Sequence, residues 1–129
     1  MASSLYAAIL GLLICCLALK VIAVRRKNKI LYADGGVTEL QIARSAHSNA
    51  TEYIPISVLL LFALEYSGGH TLVIHCFGLA VVVGRLIHCR GILLEKLKGR
   101  VLGMKITLFS IIGLSVLNII YFLHHSIFT

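Results

Sequence analysis

Apolar residues run from Leu5 to Val24, interrupted only by Lys20, and the run closes on Arg25-Arg26-Lys27-Asn28-Lys29. About 20 apolar residues suffice to cross the hydrocarbon core of a bilayer, so this run predicts a first spanning helix over about 5–24. An export signal carries its positive charge ahead of a shorter apolar core. Here the charge follows a full-length core, so the segment is expected to be retained, with Lys20 reaching back to the interface. Asp34-Gly35-Gly36 marks a turn, and Thr38-Glu39-Leu40-Gln41 fits a capping box that opens a second helix. That helix is expected over about 38–66, about 43 Å at helical rise, with a polar first half that protrudes or tilts. After Ser67-Gly68-Gly69 the pattern predicts a third helix over about 71–89 and a fourth over about 101–123. Between them lies a charged connection, Arg90–Arg100, and a short histidine-containing tail follows. Long unalternated apolar runs are not the short alternating segments of a membrane β-barrel. The expected architecture is a single domain over residues 1–129, an all-α membrane protein built as a four-transmembrane-helix bundle.

Composition sharpens this. Of the 129 residues, 59% are apolar and 13% charged, whereas a soluble domain is about half apolar and a quarter charged. A soluble enzyme, a disordered tail and a nucleic-acid-binding module are therefore excluded, although the net charge is +7. In a membrane protein, the informative property of charge is its side. Lys20, Arg25, Arg26, Lys27, Lys29 and Arg44 flank the first connection, and Arg85, Arg90, Lys96, Lys98, Arg100 and Lys105 the third. The positive-inside rule then puts the basic connections in the cytoplasm, with both termini and the second connection outside. Cys15, Cys16, Cys76 and Cys89 show no CxxC spacing, so they are expected to be buried and inert, with no metal bound. Ala7, Gly11 and Cys15 on the first helix, and Gly103 and Thr107 on the fourth, have the spacing of close helix contacts.

The second helix carries the candidate chemistry. At helical spacing Gln41, Ser45, Ser48, Asn49 and Glu52 fall within an arc of about 100°, with Arg44 at the edge of the stripe and His47 well away from it. An intramembrane carboxylate such as Glu52 should face a protein interior or a wet cavity, with a partner. Arg85 and His88 share a face of the third helix, Arg25 and Arg26 end the first, and Arg100 begins the fourth. One carboxylate among several cations suits an anionic ligand that also carries an ammonium group. The plainer reading of Glu52 is a salt bridge to Arg85 that orients two helices. Arg25 and Arg26 read equally as a topology signal, Lys96 and Lys98 as a solvated loop, His70 and His75 as structural, and His124 and His125 as a solvated tail. Pro55 removes an N–H from the helix and predicts a kink or a wet pocket beside Glu52.

The segment Ala46-His47-Ser48-Asn49-Ala50-Thr51-Glu52-Tyr53-Ile54-Pro55 resembles the second-helix signature of the MAPEG family, the membrane-associated proteins in eicosanoid and glutathione metabolism. Val21-Ile22-Ala23-Val24-Arg25-Arg26 is similar to the end of helix one in leukotriene synthase-type members, and Gly84-Arg85-Leu86-Ile87-His88 to the end of helix three. The likeness covers nearly the whole chain and is nearer to bacterial members, which implies a bacterial inner membrane. It implies a homotrimer that binds glutathione between subunits near the cytosolic face. Position by position, it implies glutathione contacts from Asn49, Glu52 and Tyr53, with Glu52 holding the ligand amine. It further implies His47 contributed by a neighbouring subunit, His88 at a Tyr/His position, Arg26 near the sulfur, and Arg100, one residue out of register, as the thiolate-stabilising arginine. Two positions depart from the family pattern. Ser45 stands where the family has arginine, with Arg44 one residue earlier, and Ile92 replaces a tyrosine.

The implied activity is attack by glutathione thiolate on a lipophilic electrophile or hydroperoxide arriving from the bilayer, with guanidinium groups favouring the thiolate. Two other functions compete. A small multidrug-type proton-coupled transporter also has four helices and one intramembrane carboxylate, but on its first helix, where this chain has none. A binding protein that keeps the fold without catalysis is the third reading, prompted by Ser45 and Ile92.

Overall fold

A computed structural model describes residues 1–128. Four helices follow one another: α1 (Ala2–Asn28), α2 (Thr38–Tyr66), α3 (Thr71–Leu93) and α4 (Leu97–Phe128). α2 and α3 form the centre of the bundle. Each packs against the other, against α1 and against α4, while α1 and α4 do not touch among the described residues. The core is a column of Tyr6, Leu10 and Leu17 from α1, Ala50, Ile54 and Leu61 from α2, Ile74 and Val81 from α3, and Leu114 from α4. The outer faces stay apolar, as Leu12, Leu19, Leu79, Phe109 and Ile112 show. In water such a surface would be a liability, but in lipid it is the expected one.

Three helices, α1, α3 and α4, are long and apolar enough to cross a membrane. The polar first half of α2 keeps it out of that set, but α2 runs the full length of α1. At one end the Glu65 carboxylate accepts the backbone N–H groups of Ala2 and Ser3, at 2.6 and 2.9 Å. At the other end Leu40 and Ala43 pack on Val24. α2 therefore covers the same depth as α1. The start of α1, the α2–α3 connection and the last turns of α4 share one end of the bundle, where His125 Nε2 lies 3.3 Å from the Ser67 carbonyl. The Lys27–Glu39 pair (3.1 Å) and the Arg44–Asp34 pair (4.0 Å) mark the opposite, basic end.

The helices outrun the sequence pattern. α1 extends through Arg25, Arg26 and Lys27, because cations in a last turn favour the helix dipole rather than stop the helix. It closes at Lys29 in the left-handed region (φ 56). α3 and α4 are separated by three residues, not by the whole charged stretch, with Glu95 at φ 55 making the turn. The tail holding His124 and His125 is helical. The capping box does not form: Val37 is the N-cap of α2, with no side-chain cap, and Thr38 is already helical.

Glycines explain the tight α3–α4 hairpin. A Cβ on Gly103 would lie 2.6 Å from the Gly84 carbonyl oxygen and press on the His88 backbone nitrogen, and one on Gly91 would strike the backbone of Gly99 and Arg100. Thr107 is fully buried one turn further on, its hydroxyl donating to the Gly103 carbonyl at 2.8 Å. Gly103 and Thr107 thus make the close contact their spacing predicted, whereas Gly11 has nothing within 4 Å. The cysteine expectation also needs correction, since only Cys89 is buried and Cys15, Cys16 and Cys76 lie on outward faces.

Both structural histidines hold their places. His70 caps α3 by accepting the Leu72 N–H at 3.2 Å, and His75 Nδ1 meets the Tyr6 hydroxyl at 2.7 Å. Tyr6→Phe should lower stability by about 1 kcal/mol, the usual net worth of one such bond. Denaturation in mild detergent measures this, and an unchanged midpoint would show that the hydroxyl contributes nothing.

Candidate functional site

The polar stripe of α2 opens onto a hollow of about 440 Å³ lined by Asp34, Gln41, Arg44, Ser45, Ser48, Asn49 and Glu52. The buried face of the same helix, Ala43, Ala46, Ala50 and Ile54, fixes which way the stripe looks. The stripe is exposed on the side of the single chain, and Glu52 with it. Ser48 Oγ donates to Glu52 Oε1 at 3.2 Å. Arg44 and Ser45 both line the hollow, so a guanidinium is present there although Ser45 itself supplies none. Helical arithmetic put Arg44 at the stripe's edge, and the length of its side chain brings it in.

Behind the stripe sits Arg85, 0% exposed. The salt bridge to Glu52 does not form. Arg85 Nη2 instead donates to Asn49 Oδ1, and the guanidinium carbon lies 5.5 Å from the centroid of the Tyr53 ring, a cation–π contact. Arg85 Nε and Nη1 are buried without a hydrogen-bond partner among the described residues. His88, one turn along α3 and also buried, has Nδ1 at 2.7 Å from the Arg100 carbonyl oxygen. A carbonyl only accepts, so Nδ1 carries the proton. This bond rests on the glycine contact between α3 and α4 and fixes the start of α4.

Arg100 lines a second hollow of about 330 Å³, which shares Gln41 and Ser45 with the first and continues past Ile92 and Lys96. Arg44 and Arg100 therefore reach adjoining spaces. Two sequence-derived residues stay apart. Arg26 lines a separate hollow with Ile22, Arg25, Lys29, Ile30 and Leu31, and His47 is half-buried and lines none of these three. Pro55 does not line the hollow either, and α2 continues through it as helix. The space comes from the polar stripe.

Asp34, part of the Asp-Gly-Gly turn, is also a site residue. Its carboxylate accepts the Gly36 N–H at 2.9 Å. That bond holds the carboxyl below the usual carboxylate range, with Gln41 and Arg44 adding to the effect. The carboxyl is thus ionised at neutral pH and can steer Arg44 over the hollow. The signal was available in Asp-Gly-Gly, where an Asx turn folds the side chain back onto its own loop. No group of three or more His, Cys, Asp or Glu residues among the described residues is placed to hold a metal ion. The arrangement offers an exposed carboxylate on Glu52, a second on Asp34 paired with Arg44, a buried cation on Arg85 and reachable guanidinium groups, which together can hold a zwitterionic or anionic ligand.

Comparison with known proteins bears on this site. A family model described as "MAPEG family" matches residues 3–120. The "Inner membrane protein YecN" of Escherichia coli (strain K12) is 35% identical over 121 residues, 94% of this chain and 92% of that protein. The protein of the same name from Escherichia coli O6:H1 matches with the same identity and coverage.

Proposed function

The chain belongs to the MAPEG family, and from that membership we propose that it binds glutathione and activates its thiol for attack on lipophilic electrophiles or hydroperoxides. Glutathione is a co-substrate here, and the protein contributes orientation and electrostatics. Glu52 holds the ligand's ammonium group, and Asn49 and Arg44 hold its carboxylate. Arg100, and Arg26 from a neighbouring copy, stabilise the thiolate. The observation that carries this reading is the hollow in which Asn49, Glu52 and Arg44 converge, with buried Arg85 behind them. The thiolate gains from guanidinium groups in a low-dielectric site, because the charged sulfur is favoured over the thiol.

The same reading includes a homotrimer in an inner membrane, with the basic end cytoplasmic and the termini outside. Support for assembly comes from the exposed stripe on α2. Ser45, Ser48, Thr51 and Glu52 face outward on a helix as deep as α1, which is costly against lipid and favourable against a second copy. A neighbouring copy would also bring in Arg26 and His47, which a single chain leaves apart from Glu52.

The test is a thermal shift on the protein in detergent. Because the chain has no tryptophan, the surviving gel-filtration peak after heating is the readout. Millimolar glutathione should raise the midpoint by several degrees, and Glu52→Gln should remove most of that rise. A parent protein indifferent to glutathione would sink the proposal.

A further inference from the structure

Asn49 stands between a buried cation and the hollow. A guanidinium has five N–H donors and no acceptor, so the atom of Asn49 that meets Arg85 Nη2 has to be the carbonyl oxygen Oδ1. The amide is planar, and its Nδ2 then turns away from Arg85. No protein partner takes Nδ2 among the described residues, and Asn49 lines the hollow. Three residues on, Glu52 presents two oxygens that only accept.

We propose that Arg85 is a positioning residue: by holding Asn49 Oδ1 it fixes the amide so that the hollow presents an N–H donor pair beside the Glu52 carboxylate, and it thereby selects ligands that carry a carboxylate next to an ammonium group. An Asn free to flip would offer either an oxygen or a nitrogen and would discriminate poorly. Arg85 does more than a neutral donor could. Its charge is fully buried, and among the described residues no acidic side chain pairs with it and two of its nitrogens lack partners. The charge polarises the amide, and a ligand carboxylate at Nδ2 supplies the compensation that the fold does not. Tyr53 beneath the guanidinium keeps it in place without competing for its donors.

The inference rests on the proposed glutathione site, so its experiment separates the two. Ligand-free stability tests the lock. Asn49→Asp keeps an acceptor for Arg85 and adds a charge, and should melt at or above the parent temperature. Asn49→Leu strands the buried cation and should melt well below it. If both fall equally, Arg85 does not depend on that oxygen and the lock is wrong.

Titration calorimetry on the detergent-solubilised protein tests what the lock does. Asn49→Asp turns an oxygen to the hollow and should weaken glutathione binding at least tenfold despite its stability. The parent should also prefer glutathione at least tenfold over an analogue lacking the glutamyl α-carboxylate. Arg85→Lys keeps the charge but loses the planar fork, and should shrink that preference to a few-fold. Parent-like glutathione affinity in Asn49→Asp, or an unchanged preference in Arg85→Lys, would overturn the proposal. A parent that binds no glutathione defeats the ligand assignment, while the melting pair still decides the Arg85–Asn49 lock.

Discussion

Gly103→Val is expected to leave no folded, monodisperse protein after extraction in mild detergent. Overpacking a core commonly costs about 1–3 kcal/mol, because side chains rotate aside. At position 103 there is no side chain to rotate. A Cβ there would sit 2.6 Å from the Gly84 carbonyl oxygen and press on the backbone at His88, so α3 and α4 themselves would have to part. Their separation would open the Gly91–Gly99 contact and pull the Arg100 carbonyl away from His88 Nδ1. The cost should therefore exceed that range and consume much of the stability of a small domain. Gly113→Ala provides the contrast. Its Cβ would meet the Phe77 ring at 2.6 Å, and a ring on a flexible side chain can shift, so the loss should stay near about 1 kcal/mol. Gel filtration of solubilised membranes separates the two, and a parent-like profile for Gly103→Val would refute the packing argument.

The same hairpin shows how much of this fold could be read from the chain. Apolar runs gave the four helices in their right places, because a spanning helix is defined by its own composition. Their ends are not legible from charge, which does not stop a helix. Backbone hydrogen bonds continue through Arg25–Lys27 regardless of what the side chains carry, and the α3–α4 turn needs only three residues once glycines let the backbones touch. Gly103 and Thr107 were visible as a spacing on one helix. That Gly84 and Gly91 complement them was not, because pairing between helices leaves no mark on either one alone. The site divides in the same way. The stripe from Gln41 to Glu52 follows from angles around a single helix, and the structure gathers it into one hollow. The partner of Arg85 required a distance across two helices, and it proved to be Asn49 rather than Glu52. Arg26 and His47 lie apart from the hollow in one chain.

The second large effect is expected at the opposite end of the bundle, on Glu65→Ala. The first turn of a helix leaves four N–H groups without intrahelical partners. α1 has no side-chain cap from its own N-cap residue, Met1. Glu65 of α2 takes that role, accepting Ala2 N–H on Oε1 and Ser3 N–H on Oε2. A carboxylate also suits the positive end of the α1 dipole. Hydrogen bonds to a charged group are worth about 1.5–3 kcal/mol each, and the partial exposure of Glu65 puts both at the low end, so a total loss of about 3 kcal/mol is expected. Glu65→Gln keeps one acceptor and should lose about half as much. Hydrogen exchange locates the damage: protection should fall over the first turns of α1 and hold in α3 and α4. Because the Tyr6–His75 bond lies just over one turn further along α1, fraying from the missing cap should already weaken it. The double variant Glu65→Ala with Tyr6→Phe should therefore cost less than the sum of the single losses, the signature of two contacts that secure one segment. Strict additivity would mean that the cap and the tyrosine hold α1 independently.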